Sequence, residues 1–362
     1  MEKFSSLLAR AVAAPRVLSA GELAVLIGAE EPGEVAALRA AAYGVKVRNS
    51  GKVVSLRGLI EAGNVCAKDC FYCGIRKSNA NVARFRLSAD EILHAAEDVA
   101  RMRYGSIVIQ SGEIESEAHT AFFEDVLRRI NEIGVFGITL SLGEQSPDTY
   151  RRWREAGASR YLLRIETSDP EIYAKLHPAQ GHSFARRLAC LRSLRECGYQ
   201  TGTGVMCGLP GQDCASLARD IAFFAAEDID MIGMGPYIPH RDTPLFDVAQ
   251  FSNTDALRLG LNMISTARLH LHDVNIAATT ALQALAADGR EQGLLAGANV
   301  VMPNTTDVSY RRRYQLYDGK PGLDENSEQS RAALVASIER IGESVNNDDP
   351  GDSPHFAKRR TL

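Results

Sequence analysis

Short apolar runs alternate with amphipathic helical segments along most of this chain, and that alternation restricts the fold more than any other feature. The runs are Val53–Ala62, Ser106–Gln110, Phe136–Leu142, Tyr161–Glu166, Thr201–Met206, Met231–Pro236, Val274–Thr279 and Asn299–Met302. Between them lie Ser88–Tyr104, Ala118–Ile133, Pro147–Ala156, Ser183–Cys197, Cys214–Glu227 and Asn253–Leu271, whose apolar residues recur at helical spacing. A strand, a crossover helix and a second strand make a parallel unit, and eight strands of this kind close a TIM-type (β/α)8 barrel. The expected architecture is α/β. Residues 1–50 form an N-terminal helical extension, 51–320 the barrel, and 321–362 a C-terminal helix and tail. Ser19 followed by Glu22 predicts a capped helix start, Ala36–Ala42 a helix, Gln329–Ile341 the last helix and Asn346–Asp352 a turn-like break.

Active sites of such barrels sit at the C-terminal ends of the strands. The first run leads there into Cys66, Cys70 and Cys73, spaced C-x3-C-x2-C. Thiolates hold iron–sulfur clusters, and a four-iron cube normally takes four ligands, so a loop with three leaves one iron open. A structural zinc loop is the plainer reading, but zinc sites close at four ligands with a second pair downstream, and no such pair follows. The loop resembles that of the radical S-adenosylmethionine (SAM) enzymes, and Tyr72 fits their aromatic position. Other strand ends are polar as well. They carry Ser111-Gly112-Glu113, Thr139, Ser141, Gly143-Glu144, Arg160, Arg164, Glu166, Gly208–Gly211, Pro236–His240, Thr279 and Thr280. Polar groups inside an apolar barrel cost free energy unless paired, so their clustering predicts a polar ligand. For any one of them, a structural hydrogen bond is the simpler account.

Six stretches, Ile60–Arg76, Ser141–Glu144, Tyr161–Pro170, Gly208–Gly211, Ile238–Leu245 and Asn299–Tyr317, resemble the HydE maturase family of [FeFe]-hydrogenase, within the biotin synthase-like radical SAM superfamily. The resemblance runs from about Val53 to Lys320. It implies a radical SAM barrel with a [4Fe-4S] cluster on Cys66, Cys70 and Cys73. It also implies SAM held by Tyr72, Ser111, Gly112, Glu113, Glu166 and Arg187, with Met231 against adenine. Thr139, Arg160, Thr279, Thr280, Tyr314 and Tyr317 match positions lining a deeper substrate pocket. The implied activity is reductive cleavage of SAM to a 5′-deoxyadenosyl radical, acting on an iron–cysteine carbonyl/cyanide precursor of the hydrogenase H-cluster. An external electron donor and contacts with other hydrogenase maturation proteins belong to the same expectation. The chain departs from the pattern at Ile165, where family members can have histidine, and no cysteine follows Cys214 to hold a second cluster.

Several alternatives stay open. Biotin synthase-like sulfur insertion would want cysteines inside the barrel for a second cluster, and the second and third runs contain none. A methylornithine synthase-like mutase would also use Arg and hydroxyl donors. A non-enzymatic iron–sulfur carrier would not need the SAM set. His270 and His272 diverge at i and i+2 and are not read as a metal site. Composition narrows the setting. A net charge of -4 gives no drive toward nucleic acid or anionic membrane, and Arg311–Arg313 and Lys358–Arg360 read as solvated surface. Seven cysteines, an odd number, argue for a reducing compartment and against a disulfide framework. Met1–Ala20 is broken by Lys3, Arg10, Pro15 and Arg16, so neither a signal core nor a membrane span is expected, and the expected location is cytoplasmic.

Overall fold

The longest strand, β1 (Val53–Gly63), is buried on both faces over most of its length, as its run of Val, Leu and Ile requires. The computed structural model describes residues 2–134, 137–248, 251–324 and 327–360. After β1 come β2 (Ser106–Ser111), β3 (Gly137–Ser141), β4 (Arg160–Leu162), β5 (Gln200–Thr203), β6 (Met231–Ile232), β7 (Asn275–Ile276) and β8 (Val300–Val301). Each pairs in parallel with the strand before it through β7, and β8 pairs with β1. Between β7 and β8, Ala278 N–H donates to Val300 O and Asn299 N–H to Ile276 O, both at 2.9 Å. These bonds close the ring, so the (β/α)8 reading holds strand by strand. A short parallel pair, Met206–Cys207 beside Gly235–Pro236, extends β5 and β6 upward. The predicted first residue of the third run, Phe136, lies outside the described residues.

Crossover helices begin where serine or aspartate can cap them. Ser88 and Glu91 form a reciprocal capping box at the helix Ala89–Arg101, and Ser19 and Glu22 do the same at Ala20–Ile27. Each cap satisfies amides that would otherwise lack partners, worth about 1 kcal/mol. The extension comprises the helices Glu2–Ala13, Ala20–Ile27 and Pro32–Ser50, packed outside the barrel over Asn253–Leu271. Asn262 locks that contact by donating to Ile27 O and Ala29 O at 3.0 and 2.9 Å. No helix among the described residues is long and apolar enough to cross a membrane.

Residues 327–360 are woven into the barrel rather than trailing from it. After the helix Ser327–Arg340, β9 (Ser344–Asn346) pairs in parallel with the start of β1. The expected break at Asn346–Asp352 then crosses the barrel floor. Arg160 donates to Pro350 O at 2.6 Å, Arg57 to Gly351 O at 3.0 Å, and Asn275 to Gly351 O at 2.9 Å. Asp352 pairs with Arg160 and accepts from Gln200 at 2.7 Å. Gly105 has no room for a side chain there, since a Cβ would stand 1.9 Å from Asp349 O. Beyond the plug, the helix Pro354–Arg360 is pinned by Lys358 to Asp273 at 2.8 Å and Arg359 to Asp230 at 2.7 Å. Arg359 is therefore a partly buried anchor rather than the solvated surface expected of it, whereas Lys358, 66% exposed, keeps the solvated character expected.

Candidate active site

The cysteine loop leaves β1 at the C-terminal end and is held in shape by its own backbone and by neighbouring loops. Ala67 N–H donates to Glu113 O, Phe71 N–H to Leu176 O and Gly74 N–H to Leu316 O, at 2.8, 2.9 and 2.9 Å. Arg84 gathers the carbonyls of Asn64, Ile75, Arg76 and Asn79 at 2.6 to 3.0 Å. No sequence pattern pointed to Arg84, because its partners are all backbone. Two glycines let segments pass where a side chain could not. At Gly112 a Cβ would stand 2.3 Å from Val65 O and 2.9 Å from Cys66 Cβ, and at Gly74 it would stand 2.2 Å from Gln315 O.

Cys66, Cys70 and Cys73 are free thiols with no disulfide, near enough for their charges to act on one another. Burial pushes Cys66 up, Cys70 up to about 12, and Cys73 well above the ordinary thiol value, and the mutual repulsion of the thiolates adds to the effect on Cys70 and Cys73. Three such groups become thiolates only with a strong local cation, which is the chemistry of an iron site. The donor set therefore fits a cluster held at three irons.

Beside the loop lies a buried network of two acids and two bases. Glu113 and Glu144 face Lys68 at 3.1 and 2.9 Å, and Arg187 at 3.6 and 2.7 Å. Burial raises the Glu113 carboxyl above its ordinary value despite Arg187. Burial opposes ionisation of Glu144 too, but Arg187 and Lys68 outweigh it and hold that carboxyl low. Arg187 is thus no helix-surface charge. Glu166 sits at φ 66, an uncommon conformation for a residue with a side chain, and pairs with Arg164 at 3.0 Å. Ser111 Oγ donates to Gly112 O at 2.7 Å. Tyr72 hydroxyl lies 3.2 Å from His177 Nε2.

Just past Glu166, Ser168 donates twice to the buried Asp220, from its amide and its hydroxyl, at 2.6 Å each. Burial pushes the Asp220 carboxyl up to about 7. The folded chain then binds this proton more tightly than the unfolded chain, so stability from this group is present at low pH and falls between about pH 4 and 7. Asp220→Asn keeps an acceptor for Ser168 and removes the proton. Its unfolding free energy is expected to fall less across that window, by about 1–4 kcal/mol, in denaturant titrations at stepped pH.

Inside the barrel the polar residues separate by height. Gln110 donates to Tyr314 hydroxyl at 2.9 Å, and Tyr317 hydroxyl meets Thr280 Oγ1 at 2.8 Å. Thr279 donates to Met234 O at 3.4 Å. Glu61 pairs with Lys320, which also donates to Tyr314 O at 2.8 Å, and Asn304 donates to Glu61 at 3.0 Å. Gly137 faces the Arg160 guanidinium, so Thr139, two residues on, shares that interior face, and its Oγ1 is buried without a partner.

A family model for the radical SAM superfamily matches residues 60–224. The [FeFe] hydrogenase maturase subunit HydE of Thermotoga maritima is 43% identical over 298 residues, 82% of this chain and 83% of that protein. The chain belongs to the HydE family of radical SAM enzymes. As a member it uses a [4Fe-4S] cluster and SAM. The 3-methylornithine synthase of Methanosarcina acetivorans is 30% identical over 78% of this chain and 79% of its own. Among solved structures, methylornithine synthase superposes with a TM-score of 0.80 at 24% identity, covering 94% of this chain and 98% of that one. The maturase HydG of Carboxydothermus hydrogenoformans gives 0.79 at 20% identity, over 96% and 80%. At those identities the likeness is one of fold.

Set against the HydE expectations, Cys66, Cys70, Cys73, Tyr72, Gly112, Glu113 and Arg187 gather around the loop, with Glu166 close by. Two residues do not. Met231 opens β6 low in the barrel, where Arg57 reaches its Sδ at 2.8 Å across the interior, far from an adenine site at the mouth. Arg160 opens β4 on the floor, fully buried against Ser106, Pro350 and Asp352, so it does not join the hydroxyls above. Sequence reasoning also underrated Glu144, and it missed Lys68, Glu61 and Lys320. Their charges signal a site only once the fold pairs them. Ile165 is fully buried core, and Cys190 and Cys207 are buried as apolar residues would be.

Proposed function

We propose that this chain carries out the HydE step on an iron–cysteine precursor bearing carbon monoxide and cyanide, during assembly of the [FeFe]-hydrogenase H-cluster. The observation carrying the proposal is 43% identity to a HydE maturase over 82% of the chain, far above the 30% shared with the methylornithine synthase. When bound, the cluster supplies the electron that splits SAM into methionine and a 5′-deoxyadenosyl radical. The chain's own residues do the positioning. Gly112 lets the β2 end approach the loop closely, and Glu113, held beside Lys68 and Arg187, offers a carboxylate to the SAM amino group. Arg187 offers a guanidinium to the SAM carboxylate, and Glu166 faces the ribose hydroxyls. Deeper in, Thr280, Tyr314 and Tyr317 present hydroxyls beside the Glu61–Lys320 pair, a lining suited to a small polar substrate. An external electron donor, contact with other maturation proteins and a cytoplasmic setting belong to this reading.

Thr139 tests the depth of that pocket. Its hydroxyl has no partner, so Thr139→Val should leave stability unchanged or raise it by about 1 kcal/mol. If the hydroxyl meets substrate, the same variant should still cleave SAM but turn over the iron precursor about tenfold more slowly. Anaerobic assays with SAM, a reductant and either the iron complex or lysine separate the two related activities. Hydrogenase maturation with the iron complex supports the proposal, and rearrangement of lysine in its place would replace it with the mutase.

A further inference from the structure

Two segments flanking the cysteine loop carry six cations, Arg76, Lys77, Arg84, Arg86, Arg312 and Arg313, and four of them have no counter-charge. Arg84 spends its guanidinium on the carbonyls of Asn64, Ile75, Arg76 and Asn79, all of them uncharged backbone. Lys77, Arg86 and Arg313 are exposed. None of these four pairs with a carboxylate among the described residues, whereas Asp69 matches Arg76 at 2.9 Å and Asp324 matches Arg312 at 2.7 Å. A chain of net charge -4 thus carries a local excess of positive charge here. Lys68 and Arg187, the cations of the neighbouring network, are buried against Glu113 and Glu144 and stand apart from it.

Packing brings the two segments together around the base of the loop. Gly63, at the end of β1, forms an antiparallel bridge with Arg86. Asn64, two residues before Cys66, donates to Ala83 O at 3.0 Å and to Arg313 O at 2.7 Å. The Arg313 guanidinium stands 5.6 Å from the Tyr310 ring centre, and that ring lies 4.9 Å from Phe85, the residue between Arg84 and Arg86. Past the last cysteine, Gly74 N–H donates to Leu316 O at 2.9 Å. The cations therefore lie within a few residues of both ends of the cysteine loop. They do not converge on a pocket that could hold a small anion. Exposed charges spread over a surface suit a macromolecule with an acidic face.

We propose that Lys77, Arg86 and Arg313, backed by Arg84, form the docking surface for a small acidic ferredoxin that brings the electron consumed in SAM cleavage. The inference rests on the proposed SAM cleavage and adds the surface and the charge of its electron donor. Position decides between acidic partners, because this patch flanks the cysteines that hold the cluster. The reduced ferredoxin gives one electron to the [4Fe-4S] cluster and leaves oxidised, with no proton or atom transferred. An iron–sulfur carrier suits the step, since such centres pass single electrons and reach about -400 mV. Steering by opposite charge raises encounter rates about 10- to 1000-fold and is screened by salt.

The test is calorimetric binding of oxidised plant-type ferredoxin, an acidic [2Fe-2S] protein, to the anaerobically reconstituted full chain. Ionic strengths of about 0.01 and 0.1 M take the screening length from about 30 to about 10 Å, and wild-type affinity should drop between them. The double variant Arg86→Glu with Arg313→Glu should load iron as the wild type does. At the lower salt it should bind ferredoxin about tenfold to a hundredfold more weakly, and its affinity should lose most of the salt dependence. Electron transfer from reduced ferredoxin should slow with it, while dithionite, which needs no docking, should reduce both proteins alike. Lys77→Glu should weaken binding in the same direction and decides alone if the double variant loads poorly. Arg151→Glu, exposed on the outer helix Pro147–Glu155, is the control and should bind as the wild type does. Wild-type affinity in the patch variants would overturn the proposal, as would a wild-type chain that ignores ferredoxin or binds single-stranded RNA in its place. A wild-type chain that holds no cluster for dithionite to reduce would instead bring down the SAM-cleavage reading itself.

Discussion

Cys70→Ser protein, reconstituted anaerobically with iron and sulfide, is expected to bind no cluster, while the wild type takes up about four irons per chain. The expectation follows from the loop's economy. Three sulfurs hold three irons, and the fourth is reserved for SAM, so losing one thiolate leaves the cube with two anchors. Serine cannot replace it, because an alcohol is far harder to deprotonate than a thiol and the surroundings already resist ionisation strongly enough to push Cys70 up to about 12. Cys190→Ser is the matched control. Its sulfur is buried and donates weakly to Gln145 O at 3.7 Å on the far side of the network, so cluster absorbance should be unchanged. Iron retained by Cys70→Ser, or lost by Cys190→Ser, would show that the cluster is held elsewhere.

Arg187→Ala should show the second large effect, and on two readouts at once. Its guanidinium holds Glu144 at 2.7 Å, approaches Glu113 at 3.6 Å and donates to Arg164 O at 2.7 Å. Removing it leaves Glu113 with Lys68 alone and Glu144 with Lys68 and the half-exposed Arg186 at 3.4 Å, and breaking a buried network in this way costs about 3–5 kcal/mol. Denaturant unfolding should register that loss. SAM affinity, measured by calorimetry on cluster-loaded protein, should fall about tenfold to a hundredfold, the range of one or two charge-assisted hydrogen bonds. Arg187→Lys keeps the charge and should restore stability better than affinity, because an ammonium cannot present two parallel N–H groups to a carboxylate. Unchanged SAM affinity in Arg187→Ala would confine Arg187 to a structural role.

Much of this was legible from local patterns. Parallel strands buried on both faces must be short and apolar, helices between them must be amphipathic, and three cysteines in one loop are neighbours whatever the rest does. Capping at Ser19 and Ser88 is equally local. Height within the barrel was harder to read. Met231 opens its run and Arg160 stands one residue before the run Tyr161–Glu166, which places both at the floor end, yet a period of two reports the face and not the level. Long-range partners were invisible. Asp352 meets Arg160 across 192 positions, and Lys320 meets Glu61 across 259, so nothing near either residue announces the pair. The tail read as a turn-like break because its bonds are made by carbonyls of Pro350 and Gly351, groups every residue carries.

The central claim is that the three cysteines leave one iron for SAM, and the spectrum of the reduced cluster tests it most directly. Dithionite-reduced wild-type protein should give one electron paramagnetic resonance signal alone and a distinct second signal when SAM is added, because chelation by its amino and carboxylate groups changes the coordination of one iron. The same shift in Arg187→Ala should need about tenfold to a hundredfold more SAM than in the wild type. A reduced signal that SAM leaves unaltered in the wild type would contradict the account.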